Sequence, residues 1–357
     1  VRGGPWLWSW KIDLGVFLLP TAAAALLVAG ARAAGFEGKT PEWGWFAFIL
    51  CVDVAHVWAT LFRSYLDPPE LRRRPWLYAL VPLGCWLTGV LLHRHSSLTF
   101  WRALAYVAVF HFIRQQAGWT AIYRARAGQR DRLTRLLDDA LIYLGTGVPL
   151  LLWHTRLPRP FAWFLDGDFL SLARLAPLEL PAQLLLAATL LLWLLHHLDL
   201  ARRGRGFSLG KTSVVLTTVA GWYGGIVLAR DDWAFTVLNV LPHGVPYFAL
   251  LWAYGKARRE TAPETPGSRL IAAGFAVCFG FLALLAFAEE ALWDRVIWHD
   301  RGWLFGFLPE VHAGAWASLL VPLLALPQAT HYVLDAFLWR RGATGPEQAR
   351  ALGFRST

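Results

Sequence analysis

Apolar runs long enough to cross a bilayer recur along the whole chain, and they constrain its fold more than any other feature. A hydrocarbon core about 30 Å thick needs roughly 20 apolar residues in helical form. Runs of that size occupy about 14–34, 43–63, 76–93, 99–119, 138–154, 182–200, 212–229, 233–254, 269–292 and 314–339. They are continuous rather than alternating, which speaks against a transmembrane β-barrel. Of the 357 residues, 56% are hydrophobic and only 16% charged, where a soluble domain carries about one quarter charged residues. No internal repeat and no long soluble segment interrupts the runs. The sequence predicts an all-α, polytopic transmembrane bundle of about ten spans, one integral membrane domain over 1–357, placed in the inner (cytoplasmic) membrane.

The net charge of +10 raises the question of nucleic acid, but the basic residues sit in short loops, where they set topology. Basic runs follow the second, fourth, sixth and eighth spans: "RRR" at 72–74, "RARAGQRDRLTR" at 124–135, "RRGR" at 202–205 and "KARR" at 256–259. Arg340 and Arg341 follow the tenth. The alternate connections are poorer in Lys and Arg, so both termini are expected in the cytoplasm, with the bilayer as partner and no nucleic acid. The longest connection, 156–181, is rich in Trp and Phe and is expected at the membrane interface. Cys51, Cys85 and Cys278 all fall in apolar runs, which leaves no disulfide framework and no Cys-rich metal motif.

Against this apolar background, each even-numbered span carries histidine. The second reads "CVDVAHVWATLFRSYLD", with Asp53 and His56, and the fourth "VFHFIRQQAGW", with His111, Arg114 and Gln115. The sixth ends in "LLHHLDLARR", with His196, His197 and Asp199. The eighth holds "LNVLPHGVPY", with Asn239 and His243, and the tenth "LPQATHYVLDAFLWRR", with Gln328, His331 and Asp335. Even-numbered spans run in one direction, so these side chains are expected at one depth. Partners recur at helical spacing: Asp53 three before His56, Gln115 four after His111, Asn239 four before His243, Asp335 four after His331. Residues three or four apart share a helix face. A metal-ligating imidazole commonly needs an acceptor on its other nitrogen.

Ionisable groups in hydrocarbon cost a few kcal/mol each and mark functional sites; the competing reading is a purely structural polar network. The preferred ligands are His56, His111, His243 and His331, with His197 a further candidate closer to the interface. Asp53, Arg114 and Asp335 are the candidate catalytic groups, and Gln115, Asn239 and Gln328 the candidate supports of the cofactor. Arg114, one helical turn from His111, is expected to form a buried ion pair with Asp53, Asp335 or a substrate carboxylate. Imidazole with carboxylate and amide suits iron, zinc, copper or manganese. An open coordination position in an apolar bundle suits O₂ or a lipid-like molecule. The leading expectation is a non-haem iron enzyme acting on a lipophilic substrate or lipid, with zinc or copper as alternative ions.

Two other readings remain open. One is a haem-binding electron-transfer subunit with His axial ligands. The other is a proton-coupled transporter in which Asp53, Arg114 and Asp335 relay protons. A second polar cluster, Glu289, Glu290, Asp294, His299 and Asp300, reads as a hydrated helix end and loop on the outer side, with a second metal site or a proton exit as the alternatives. "GRGFSLGKTS" at 204–213 imitates a phosphate loop, but Arg205 stands where the glycine is required and no strand precedes it.

The transmembrane histidines and "LPHG" at 241–244 together resemble the bacterial Brp/Blh-type β-carotene dioxygenases. That resemblance implies a multispan membrane enzyme that holds iron with histidines and cleaves a carotene to retinal. Pro246 and Tyr247 stand in the region where that family carries an Asp shortly after the His.

Overall fold

The computed structural model describes residues 6–204, 207–339 and 346–352. Arg205, Arg340 and Arg341, three of the loop charges used above, lie outside the described residues. Every regular element among the described residues is helical, as lipid demands of a chain that must satisfy its own backbone.

The long helices are α1 (Trp10–Ala33), α2 (Glu42–Arg63), α3 (Pro75–His95), α4 (Ser97–Arg126) and α5 (Arg132–Thr155), then α6 (Ala173–Arg202). They continue with α7 (Leu209–Trp222, extended by the π-helical Tyr223–Leu228), α8 (Asp232–Thr261), α9 (Phe275–Trp298) and α10 (Gly314–Leu338). Eight of them, all except α4 and α7, are long and apolar enough to cross a membrane. The two others, expected as the fourth and seventh spans, are more polar. α4 carries Arg102, His111, Arg114, Gln115 and Gln116, and α7 carries Lys211, Thr212, Ser213, Thr217 and Thr218.

The chain divides into two compact units. The first holds Val1–Gly44 and Ala108–Pro246, the second Trp45–Val107 and Tyr247–Ala351. In the first, Leu141, Ile142 and Leu152 of α5 pack with Trp193 of α6 and Val215 of α7. Gly145 permits this approach, because a Cβ there would stand 2.7 Å from Cγ2 of Val219, a close helix contact of the small-residue kind. The 156–172 connection lays Phe161 and Phe169 on Trp153, at ring-centre distances of 5.1 and 4.7 Å. Such edge-on aromatic packing seats the segment firmly on α5.

In the second unit, Trp45, Leu50 and Phe62 of α2 pack with Tyr247, Phe248 and Leu251 of α8 and with Cys278 and Leu282 of α9. α10 is interrupted: Ala317–Leu324 ends, and Leu326–Leu338 begins with Pro327 in its first turn, where a missing N–H costs nothing. Pro327 therefore starts a helical segment rather than kinking one.

Candidate metal centre

In the second unit α2 changes its winding twice over the stretch that carries the polar side chains. Trp45–Val54 is π-helical, Ala55–Trp58 makes one α-turn, and Ala59–Arg63 tightens to a 3₁₀-helix. Wider and tighter turns rotate successive side chains off the ideal α register, and such segments concentrate at functional sites. Here they bring Asp53, His56 and Thr60 to the face met by Leu326–Leu338.

His56 and His331 are both 1% exposed. Their rings stand edge to face, with centres 5.0 Å apart and planes at 81°. Each has a carboxylate on its own helix: Asp53 Oδ1 is 3.8 Å from Nδ1 of His56, and Asp335 Oδ1 is 3.8 Å from Nδ1 of His331. Those separations exceed a hydrogen bond, so these atom pairs are near neighbours rather than bonded partners. The direct bond to His331 comes instead from Thr60, whose Oγ1 lies 2.7 Å from Nδ1. Asp335 is oriented by Tyr247, whose hydroxyl donates to Oδ1 at 2.8 Å and accepts from Trp339 Nε1 at 3.3 Å. The Tyr247 ring also stands 5.6 Å from His56 and 5.3 Å from His331. Thr60 and Tyr247 were not singled out from the sequence. Thr60 carried a legible signal, lying four residues after His56; Tyr247, four after His243, gave none that distinguished it from a packing aromatic.

The donor set fits a metal ion. Metal–imidazole bonds of about 2.0–2.1 Å place each ring centre about 3.2 Å from the ion, so two rings at 90–110° stand about 4.5–5.2 Å apart. With Nδ1 of His331 tied to Thr60, Nε2 is the nitrogen positioned for coordination, an arrangement typical of metal-bound histidine.

His331 also forms part of the wall of an open, largely apolar cleft of about 240 Å³. Val57, Trp58 and Leu61 of α2, Pro82 of α3, and Leu323, Leu326 and Thr330 of α10 contribute to its lining. α10 presents Leu326, Pro327, Thr330 and His331 there, and Gln328, expected to support the centre, is half-buried and contributes nothing to the lining.

The first unit holds a second imidazole pair. His111 of α4 and His243 of α8 have ring centres 5.1 Å apart and planes at 80°, within the same metal-compatible range. Phe112 stacks on His243 at 3.5 Å, and Gln115 Nε2 donates to the His243 carbonyl at 2.9 Å. Asn239 donates its amide to the carbonyl of Phe235 at 2.7 Å, so its N–H serves its own helix. Beside it, Gln116, Thr217, Thr218, Asn239 and His243 contribute to a cavity of about 10 Å³, room for about one water molecule.

Three expectations need correction. Arg114 is exposed, and its Nη1 donates to the Tyr143 hydroxyl at 2.5 Å; three residues fall about 60° short of a full turn, which sets it at the edge of the face that carries His111, within reach of a neutral partner. His197 belongs to another cluster. Its Nδ1 lies 2.9 Å from the Trp193 carbonyl and its Nε2 3.6 Å from Asp138, which also takes Lys211 Nζ at 2.9 Å and Trp193 Nε1 at 2.8 Å. Lys211 and Asp138 are wholly buried, and the paired charges account for their tolerance of the interior. The acidic cluster at 289–300 is not a hydrated helix end: Glu289 is 5% exposed and accepts from Trp58 Nε1 at 2.7 Å. Asp294 is buried as well, accepting from the backbone N–H groups of Asp300 and Arg301 and pairing with Arg295, so it anchors the following loop.

These elements define an all-helical protein with eight helices of membrane-crossing length and composition among its described residues. No family model, curated protein or solved structure matches the chain.

Proposed function

We propose that the protein is an integral membrane metalloenzyme, a non-haem iron oxygenase or related oxidoreductase, that acts on a lipophilic substrate. One observation carries the reading: the His56–His331 pair is buried at ligating separation, and its His331 lines a largely apolar cleft. His56 and His331 supply imidazole nitrogens, Thr60 holds the ring of His331, and Tyr247 holds Asp335 beside it. A bound iron would supply redox chemistry there, and zinc in the same place would supply Lewis acidity. The apolar walls exclude water and receive the substrate from the bilayer. His111 and His243, taken by themselves, are proposed as ligands on the same grounds of spacing and burial. The "LPHG" resemblance favours iron and a long apolar substrate.

The haem alternative is less well supported by this pair. Imidazoles on opposite faces of one iron would stand about 6.4 Å apart at the same bond lengths, and the His56–His331 rings are at 5.0 Å and nearly perpendicular. The loop charges support ten spans with both termini in the cytoplasm of an inner-membrane protein. Metal analysis of detergent-purified protein, never exposed to chelator, tests the enzyme reading. A transition metal near stoichiometry is expected, and less than about a tenth of an equivalent would overturn it.

A further inference from the structure

Thr330 contributes to the cleft beside His331, is 8% exposed, and has a buried hydroxyl with no hydrogen-bond partner within the protein. A threonine in a helix normally has one available, because its Oγ1 can donate to the carbonyl four residues back. Thr120, Thr146, Thr155, Thr217 and Thr218 all do so here, at 2.7–3.0 Å. Thr330 lies four residues after Leu326 in the same helix and makes no such bond. Leaving a buried hydroxyl unmatched costs about 1–3 kcal/mol. Thr60 and Tyr65 also line the cleft, but their hydroxyls are engaged, with His331 Nδ1 at 2.7 Å and the Tyr78 carbonyl at 2.7 Å, so Thr330 carries the hydroxyl left over in a largely apolar wall, as in a ligand pocket where a few placed polar groups fix orientation.

We propose that the cleft binds a lipid chain bearing a single hydrogen-bonding oxygen, a hydroxyl or carbonyl, and that Thr330 holds this oxygen beside His331. The inference rests on the lipophilic-substrate reading above and narrows it. Leu61, Leu323 and Leu326 take the hydrocarbon part, for which dispersion and burial give affinity without direction. The hydroxyl gives direction: it fixes which carbon of the chain stands next to the imidazole. The volume of about 240 Å³ falls below the roughly 300–1,000 Å³ of pockets for whole drug-sized ligands. The cleft therefore takes a segment of chain, with the remainder in the bilayer.

The test uses the full-length protein in lipid nanodiscs with two photoreactive probes of equal chain length, a diazirine fatty alcohol and the matching diazirine alkane. Labelling of the cleft peptides from α2 and α10 is quantified by mass spectrometry. The alcohol is expected to label them several-fold better than the alkane. Thr330→Val, which keeps the shape and removes the hydroxyl, is expected to lower alcohol labelling about 2- to 10-fold and leave alkane labelling unchanged. Thr330→Ser is expected to restore the preference, and neither variant to fall below the parent in thermal stability. Equal labelling by the two probes, no labelling of the cleft, or a preference that survives Thr330→Val would overturn the proposal. Metal content is measured on the same preparations. Metal without the oxygen preference defeats this inference alone, and the preference without metal defeats the enzyme reading alone.

Discussion

Thr60 Oγ1 lies 2.7 Å from Nδ1 of His331, linking the 3₁₀ end of α2 to the last helical segment of α10. The bond fixes the ring of His331 and leaves Nε2 as the nitrogen that would meet the metal proposed above. Thr60→Val is expected to preserve the fold and weaken metal binding about 10- to 100-fold, the usual effect of losing a partner that orients a ligand. Competition with a chelator of known affinity, followed by metal analysis, measures it. Unchanged affinity would show that the ring needs no such support.

His331→Ala removes a nitrogen donor rather than its support, so metal retention should fall further than with Thr60→Val. His56→Ala should behave alike, since the two rings form one pair at 5.0 Å. Stripping the wild-type protein with chelator and re-adding metal should restore occupancy, and the two alanine variants should remain depleted under identical treatment. Full metal content in either variant would remove that histidine from the ligand set.

Asp138 is the acceptor around which the second buried cluster is assembled. Asp138→Ala leaves Lys211, which is wholly buried, without its carboxylate partner. Removing one member of a buried ion pair costs about 3–5 kcal/mol, and unfolding in graded denaturing detergent should show a loss of that order. The double variant Asp138→Asn with Lys211→Met removes both charges and should recover most of it. A single variant as stable as the parent would mean that the ammonium finds water instead.

Gly210 approaches the ring of Tyr123 so closely that an added Cβ would stand 2.3 Å from Cε1. The ring has no room to yield, since Tyr123 is wholly buried and its hydroxyl donates to Asp13 at 2.6 Å. Gly210→Ala is expected to cost about 1–3 kcal/mol through overpacking. A thermal melt of the purified variant checks this, and an unchanged midpoint would show that α7 shifts freely.

The sequence alone determined the helical class and the approximate position of every long helix, because bilayer thickness dictates run length and lipid forbids unpaired backbone. It also marked the polar residues, since an imidazole or carboxylate in hydrocarbon is costly enough to stand out. Local spacing carried some pairs: Asp53 does lie beside His56, and Asp335 beside His331.

Tertiary structure decided which groups meet across helices. No periodicity links His56 to His331, or Thr60 to His331, because those contacts depend on how two helices are rotated against each other. The π and 3₁₀ turns of α2 reset that rotation, and a steady 100° per residue does not anticipate them. For the same reason Arg114 was expected to be buried and is exposed, and His197 was assigned to a metal and instead faces Asp138. Burial of Glu289 was equally illegible, because a carboxylate near a helix end reads as solvated until a neighbouring indole is found bonded to it. Sequence spacing orders neighbours along one helix. Partners on different helices are chosen by packing, which is a property of the whole core.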